Sequence, residues 1–319
     1  METLTTLYLM INRLFSTLLF LSCLFGGLSQ TAKAQNNEWE NPTKYEWNKE
    51  RPHADFRLYE QSEDAVNDKP RKSSWQHSLN GVWKFIYAPT IAASIKDFYR
   101  IDLPDSNWDT ITVPSNWEIQ GFGEPIIRNI QYVFSSNPPY IDVDNPVGTY
   151  RRTFTVPRNW QEREVFLHFG SISGYARIYV NGQQVGMTKA SKTPAEFNVT
   201  NYLKEGENLL AVQIYRWHDG SYMEDQDFWR LTGIERDVFL QAYPKLTIWD
   251  FFLKSSLDST YKNGIFNATV DLREFTGNNV KKGTLKLELL DKTGKIVLSQ
   301  QKKFDIEDEF TQLAFSGVI

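Results

Sequence analysis

The chain has 319 residues, of which 41% are hydrophobic and 23% are charged, so it is long enough for two globular domains of ordinary size. Its formal net charge at pH 7 is −4 and its sequence pI is about 5.7. This mildly acidic balance argues against a nucleic-acid footprint and against a polybasic membrane-binding surface.

Residues 1–34 have the organisation of a secretory signal peptide. Arg13 supplies positive charge, residues 14–25 form an uncharged apolar run, and residues 32–34 (Ala-Lys-Ala) match a small-x-small cleavage site. The run is about half as long as the ~20 residues that a membrane-spanning helix needs; an uncleaved anchor is the alternative. Cys23 is the only cysteine, so cleavage would leave a chain without disulfides. We expect export to the periplasm of a Gram-negative bacterium, with no membrane attachment after cleavage.

Residues 35–74 are polar and rich in charge, and they carry scattered prolines. Neither the two-residue period of a strand nor the 3.6-residue period of a helix persists there. We interpret this segment as an extended N-terminal arm that lies on a larger body, with plain disorder as the alternative.

Residues 75–244 consist of short apolar stretches separated by turn signals. Asn181-Gly182 directly follows an alternating run, and Asn-Gly between apolar runs is the strongest short hairpin signal. Within residues 210–214 the aliphatic side chains face one side of a strand and Gln213 faces the other, which predicts a half-buried strand. Several such strands predict an all-β fold with a β-sandwich in this region.

Residues 245–319 form a second predicted β region. Apolar and polar residues alternate within 266–272 and within 285–289, and residues 291–294 (Asp-Lys-Thr-Gly) give a turn signal. The pattern is typical of an immunoglobulin-like sandwich, which takes ~100 residues, whereas this region has 75. We therefore expect a truncated sandwich with unpaired strand edges.

The sequence contains neither a phosphate-binding glycine loop nor a G-x-S-x-G nucleophile elbow. The four histidines, His53, His77, His168 and His218, have no metal-binding spacing. Each is therefore expected to be a surface or hydrogen-bonding residue.

The densest chemical pattern covers residues 216–229. It combines four carboxylates and four aromatic side chains: Asp219, Glu224, Asp225, Asp227, Trp217, Tyr222, Phe228 and Trp229. Carboxylates accept hydrogen bonds from sugar hydroxyls, aromatic rings stack on sugar C–H faces, and oxygen ligands suit a hard cation. A solvated acidic loop with core aromatics is the alternative. Direct glycosidase catalysis by Asp225 and Asp227, ~7 Å apart along a strand, is not favoured because nothing distinguishes a general acid from a nucleophile.

A second cluster covers residues 113–139. Its proline, glycine and asparagine content predicts a long irregular loop, and such loops are usually functional or disordered. Trp117, Phe122 and Tyr132 argue against disorder, and Pro138-Pro139 is a candidate for a cis peptide bond.

These two clusters, in this order, resemble glycoside hydrolase family 2, and within it the large β-galactosidases. The resemblance covers nearly all of the chain after residue 34 and is weakest beyond residue 245. The motifs that carry it are WENP at 39–42, RPHADF at 51–56, SLNGVWKF at 78–85, VPSNWE at 113–118, NPVGTYRR at 145–152, VNGQQVG at 180–186, PAEFNVT at 194–200 and, most specific, DGSYMEDQDFWRLTGIERDV at 219–238.

The resemblance implies a jelly-roll sugar-binding β-sandwich at residues 75–244, followed by the immunoglobulin-like sandwich. In the family a (β/α)8 barrel comes next, with two catalytic glutamates of a retaining mechanism and the magnesium ligands. A barrel needs ~250 residues. We therefore expect no catalytic residue and no magnesium ligand in this chain, and no hydrolysis by this chain alone.

The resemblance also implies two substrate-binding residues. Asn129 matches a sugar-contacting asparagine, and Asp227 matches an aspartate that binds galactose and a sodium ion, whose other ligands lie in the barrel. An amide exchanges hydrogen bonds with hydroxyls and a carboxylate suits both a hydroxyl and sodium; turn capping is the alternative for both residues. The chain departs from the family pattern at Ile127, Val133 and His218, where Tyr, Pro and Ser are frequent.

The favoured hypothesis is the N-terminal portion of a β-galactosidase whose ligands are β-galactoside oligosaccharides. One alternative is a free-standing carbohydrate-binding module. Another is a fragment that complements a separately encoded catalytic-barrel chain through its unpaired β edges.

Overall fold

The computed structural model describes residues 37–67, 73–128, 131–224, 227–275 and 281–319. The predicted signal peptide with Cys23 lies outside these ranges, and so do Asn129 and Asp225. Within them, no helix combines the length and the apolar character needed to cross a bilayer.

Among the described residues, strands make up 46% and helices 7%, which confirms the all-β prediction. One α-helix, α1, covers Ser62–Val66, and 3-10 turns cover Glu38–Glu40, Arg158–Trp160, Thr200–Tyr202 and Asp219–Tyr222. The first sixteen strands are β1 (Glu46–Trp47), β2 (Gln76–Ser78), β3 (Gly81–Ala88), β4 (Asp109–Val113), β5 (Ser115–Asn116), β6 (Ile126–Ile127), β7 (Val147–Thr155), β8 (Glu164–Phe169), β9 (Ile172–Ser173), β10 (Tyr175–Val180), β11 (Gln183–Thr188), β12 (Ala195–Asn198), β13 (Glu207–Tyr215), β14 (Trp229–Arg230), β15 (Gly233–Ile234) and β16 (Val238–Tyr243).

Two antiparallel sheets enclose the larger core. The first has the order β1-β11-β10-β13-β7-β3-β4 and the second the order β12-β8-β16-β2. Trp83, Tyr150 and Val212 of the first sheet share one buried cluster with Leu167 and Leu240 of the second. Each such side chain contributes ~1.5–3 kcal/mol when it leaves water. This packing makes a β-sandwich; the jelly-roll topology stays a prediction.

The Asn-Gly hairpin is confirmed. Asn181 and Gly182 have φ angles of 50° and 83°, and Val180 pairs with Gln183 across the turn between β10 and β11. Positive φ at both central residues is what a two-residue hairpin of the right twist requires.

The prediction of a half-buried strand at residues 210–214 is wrong, because β13 is buried on both faces. The side-chain amide of Gln213 donates to the Ile95 carbonyl at 3.0 Å and lies 3.2 Å from Thr149 Oγ1. The chain between β3 and β4 covers this outer face, where the buried Phe98 packs.

Five longer strands follow residue 245: β17 (Leu246–Leu257), β18 (Gly264–Glu274), β19 (Lys282–Leu290), β20 (Ile296–Asp305) and β21 (Phe310–Val318). The alternation predicted for residues 266–272 is confirmed, since its four apolar side chains are buried in a second core with Phe315. The turn at residues 291–294 is also confirmed: Asp291 Oδ1 accepts from the Thr293 and Lys295 amides, and Gly294 has a φ of 84°.

An apolar cleft opens beside this second core. Among the described residues, β17 pairs only with β18, and β19 pairs only with β20. The cleft between β17 and β19 has a volume of about 210 Å³, and its apolar lining is Ile248, Phe251, Leu253, Val270, Leu285 and Leu287. Exposed strand edges beside apolar side chains are sites where another strand can add.

Residues 46–54 contact both β regions. The first two of these residues form β1, which pairs with the edge strand β11. Further on, the Glu50 amide donates to the Glu196 carbonyl of β12, and the Ala54 amide donates to Asp250 Oδ1 of β17, both at 2.8 Å. This segment therefore joins the edge of the first sandwich to the start of the second β region.

Candidate functional site

The two chemical clusters found in the sequence meet around one pocket. Strand β6 of the loop at 113–139 pairs with β14 of the loop at 216–229, so that Ile127 lies opposite Trp229. The short sheet β5-β15-β9 adjoins the same loops. The aromatic and acidic side chains that line the pocket are Tyr132, Phe134, Trp217, Phe228, Trp229 and Glu224.

Aromatic rings form one wall of the pocket. The ring of Phe134 meets those of Trp217 and Tyr222 edge-on, with centroids 5.6 and 4.8 Å apart, and Tyr132 stacks on Phe134 at 5.6 Å. Trp217 is buried, whereas Trp229 is 49% exposed. A buried ring such as that of Trp217 stabilises the loop, and the exposed indole face of Trp229 is available for stacking on a sugar.

Tyr222 ties the two loops together. Its hydroxyl lies 2.8 Å from the Ser135 carbonyl and 2.6 Å from the Tyr140 carbonyl, and its own carbonyl accepts from the Tyr132 hydroxyl at 3.1 Å. Pro138-Pro139, between these contacts, is cis as predicted.

A buried ion pair lies beneath the pocket. Arg216 NH2 is 3.6 Å from Glu118 Oε1 and donates to the carbonyls of Glu124 and Arg230. Glu118 Oε2 accepts from the Thr232 amide at 2.9 Å. Burial raises the pKa of the Glu118 carboxyl and lowers the pKa of the Arg216 guanidinium. The pair therefore fixes the strands that carry the two loops, at a desolvation cost.

The carboxylates of the second loop have different roles. Asp219 Oδ1 is 3.0 Å from Lys189 Nζ, and Glu224 Oε1 accepts from the Ser191 amide at 3.0 Å. Burial alone would raise the pKa of both carboxyls, but the neighbouring His218 and the partners Lys189 and Ser191 lower it. Asp227 is exposed.

Of the two predicted substrate-binding residues, only Asp227 lies within the described ranges. Asp227 lies two residues before Trp229, on the loop that borders the pocket. Asn129 lies outside the described residues, and its described neighbour Arg128 offers its carbonyl to Arg230 at 3.2 Å.

Sequence reasoning missed the residues that reach the pocket from elsewhere. Lys192, between β11 and β12, is 3.0 Å from Glu235 Oε1, and its Nζ lies 5.2 Å from the ring centroid of Phe228. The prediction for His218 is confirmed, because it is a hydrogen-bonding residue, and the structure adds that it is fully buried. Within the described ranges no group of three or more His, Cys, Asp or Glu side chains is arranged to hold a metal ion.

A two-sheet sandwich with an aromatic and acidic pocket beside its loops belongs to the class of carbohydrate-binding β domains. The family model described as "Glycosyl hydrolases family 2, sugar binding domain" matches residues 76–244. That match covers more than half of the chain, and the chain belongs to this family.

Named relatives support the same family. The chain is 36% identical over 282 residues to a β-galactosidase of Priestia megaterium, and the match covers 86% of this chain and 27% of that protein. It is 38% identical over 266 residues to a β-galactosidase of Vibrio cholerae, covering 83% and 25%. The chain thus spans about a quarter of the length of these relatives.

Solved structures share the fold. Bacteroides uniformis beta-glucuronidase 2, covalently bound to cyclophellitol-6-carboxylate aziridine, matches 76% of this chain and 27% of that chain, with a TM-score of 0.59 and 22% identity. A beta-glucuronidase of an uncultured Clostridium sp. matches 82% of this chain and 41% of that chain, with a TM-score of 0.56 and 22% identity.

Proposed function

We propose that this chain is the N-terminal, sugar-binding part of a β-galactosidase that hydrolyses terminal β-D-galactosides. Support comes from relatives at 36–38% identity that are named β-galactosidases. The observation that carries the proposal is the pocket at which two loops far apart in sequence present aromatic rings beside an acidic segment. In this role the chain contributes substrate contacts to an active site whose catalytic glutamates lie elsewhere in the enzyme.

Asp227 is the proposed galactose and sodium ligand. Its carboxylate is exposed next to the pocket, and a carboxylate oxygen suits both a sugar hydroxyl and Na⁺. It provides one ligand, so the remaining sodium ligands have to come from other residues. Asn129 is proposed as a second sugar contact. The described residues contain no cluster suited to magnesium.

Calorimetry on the polypeptide 35–319 tests sugar binding. Galactose and lactose at millimolar concentration should give weak but measurable heat, and Asp227→Asn should reduce the affinity. Asp142→Asn, another exposed carboxylate, is the matched control and should leave the affinity unchanged. Absence of heat at these concentrations would count against the sugar-binding role, whereas tight binding would favour a free-standing carbohydrate-binding module.

The same polypeptide should not turn over a chromogenic β-galactoside. Family 2 hydrolysis needs two carboxyl groups ~5–5.5 Å apart, and in the proposed role both of these groups lie elsewhere in the enzyme. Activity that co-purifies with the chain through successive columns would contradict this proposal. Cell fractionation tests the proposed periplasmic location, since the cleaved chain should appear in the periplasmic extract.

The open strand edges favour a second candidate function, in which the chain complements a separately encoded catalytic chain. The cleft between β17 and β19 has an apolar lining and unpaired edges on both sides among the described residues. Mixing the chain with a polypeptide that carries a family 2 barrel should then restore hydrolysis. No recovered activity across a range of molar ratios would rule this candidate out.

A further inference from the structure

His218 is buried at the start of the 3-10 turn Asp219–Tyr222. Its Nδ1 accepts from the Gly220 amide at 3.1 Å, and its own amide donates to Ser221 Oγ at 3.1 Å. The other ring nitrogen, Nε2, lies 3.4 Å from Glu224 Oε2. The imidazole therefore contacts the Gly220 amide inside the turn and the carboxylate of Glu224, which follows the turn.

Gly220 is required by this arrangement. A Cβ at that position would lie 2.6 Å from the imidazole of His218, which is closer than non-bonded carbon atoms approach. Ring and turn are thus packed against each other without room for adjustment.

When Nδ1 accepts from the Gly220 amide, the neutral imidazole carries its proton on Nε2. Nε2 forms no hydrogen bond among the described residues, so Glu224 Oε2, which is 3.4 Å away, is a charged neighbour of this N–H group rather than its hydrogen-bond acceptor. Two carboxylates of its own segment, Asp219 and Glu224, face the ring. Lys189, which follows β11, faces Asp219 at 3.0 Å. Protonation of Nδ1 would give up the bond from Gly220 in favour of Asp219 Oδ1, which is 3.6 Å away.

Glu224 transmits the position of this ring to the pocket. Its Oε1 accepts from the Ser191 amide at 3.0 Å, and Ser191 Oγ accepts from the Gly174 amide at 3.0 Å. All three residues line the pocket.

We propose that His218 is a positioning residue of the sugar pocket. Its Nε2 lies against Glu224, whose other carboxylate oxygen accepts from the Ser191 amide in the lining of the pocket. The consequence for sugar affinity rests on the proposed function; the positioning itself does not.

Two substitutions of His218 test the contacts of Nδ1 and of Nε2 separately. In His218→Gln the side-chain Nε2 can take the place of the imidazole N–H group that faces Glu224. One of the two acceptors of the Gly220 amide is then lost, and the other, Asp219 Oδ1 at 3.0 Å, remains. In His218→Asn, Oδ1 can replace Nδ1 as the acceptor for Gly220, but the donor towards Glu224 is lost. Glutamine is thus the conservative rescue for the proposed role, and asparagine is its matched control.

Amide hydrogen exchange in the 319-residue chain provides the test. Protection of the Ser191 amide should fall about tenfold in His218→Asn, the equivalent of one hydrogen bond to a charged group, and stay near the wild-type value in His218→Gln. Protection of the Gly220 amide should show the opposite pattern with a smaller change, because this amide also donates to Asp219 Oδ1 at 3.0 Å. Galactose affinity should fall several-fold in His218→Asn only.

The pH dependence adds a readout that loss of packing alone would not produce. The Ser191 and Gly220 amide shifts should titrate together with the wild-type imidazole and should not titrate in His218→Gln. Unchanged Ser191 protection in His218→Asn, equal losses in both variants, or no common titration would each overturn the proposal. If wild-type protein binds no galactose, the proposed function fails, while the exchange data still decide the positioning role.

Discussion

His53→Gln is expected to weaken the junction between the two β regions in a pH-dependent way. His53 Nδ1 lies 2.9 Å from the Ala54 carbonyl, and Nε2 lies 2.6 Å from Glu196 Oε2. Both partners accept hydrogen bonds, so both ring nitrogens have to donate, which requires the imidazolium form. The ring also packs on Trp249 of β17, with centroids 4.5 Å apart.

The environment of His53 accounts for this charge. Burial acts to lower the pKa of His53, but the hydrogen bond and charge of Glu196 outweigh it and raise the pKa above 6.5, with Asp250 adding to the effect. Burial would raise the pKa of Glu196, yet His168 and His53 lower it. Because the folded pKa of His53 is raised, its contribution to stability is fully present below about pH 6.5. It is lost as the pH rises through the folded value.

The expected loss in the free energy of unfolding follows from the burial of the His53–Glu196 pair. The side chains of His53 and Glu196 are only 11% and 7% exposed, so the pair is not a surface salt bridge worth ~0–1 kcal/mol. A hydrogen bond to a charged group contributes ~1.5–3 kcal/mol. We expect His53→Gln to lower the free energy of unfolding by about 2 kcal/mol at pH 5.5. As the pH rises through the raised folded pKa of His53 the difference should become much smaller, because wild-type His53 then loses its proton.

Urea denaturation followed by tryptophan fluorescence measures this difference at each pH. His77→Gln is the matched control, because burial and the charge of Arg152 lower the pKa of His77. Because the folded pKa of His77 is lowered, its ionisation opposes folding in acid, so replacing it should not reproduce the acid-side loss. A difference between wild type and His53→Gln that does not decline at any pH above 6.5 at which the protein stays folded would refute the imidazolium assignment.

Three further predictions concern the first sandwich and its pocket. Asp227→Ala should weaken galactose binding in calorimetry while changing the free energy of unfolding by less than about 0.5 kcal/mol, because the side chain is exposed. Gly148→Ala should lower that free energy by ~1–3 kcal/mol in urea denaturation, since the new Cβ would lie 2.3 Å from the ring of Trp117; Gly264→Ala, with its nearest atom 3.6 Å away, is the control. Leu240→Ala should cost ~2–5 kcal/mol in the same assay, because Leu240 is fully buried between the two sheets.

The fold was predictable wherever local pattern and burial agree. The alternation in 266–272 predicts β18 because only one face of that strand is buried, and Asn181-Gly182 predicts a hairpin because the turn needs positive φ at both positions. The interpretation of Gln213 fails for a non-local reason. The segment that covers it, which includes Phe98, lies more than 100 residues earlier and carries no period of its own.

The pocket was predictable as a location but not as a set of contacts. Residue types at 113–139 and 216–229 predict two functional loops, and the structure joins them through β6 and β14. The partners that determine the state of each carboxylate come from elsewhere: Ser191 meets Glu224 from the segment after β11, and Glu118 meets Arg216 across 98 positions (216 minus 118). Such pairings depend on sheet topology, which local spacing does not encode.

This distribution of contacts supports the proposal that Asp227, rather than Asp219 or Glu224, is the ligand-binding carboxylate. Asp219 is bonded to Lys189, and Glu224 to the Ser191 amide, and the lowered pKa of both carboxyls reflects stabilisation by these partners. Turning either carboxylate towards a sugar would break a hydrogen bond to a charged group, at ~1.5–3 kcal/mol. The cost is lower at Glu224, whose side chain is 36% exposed. Asp227 is exposed beside the pocket, so binding there avoids that cost. Asp219 and Glu224 therefore shape the loop, and a sugar hydroxyl or a cation is expected at Asp227.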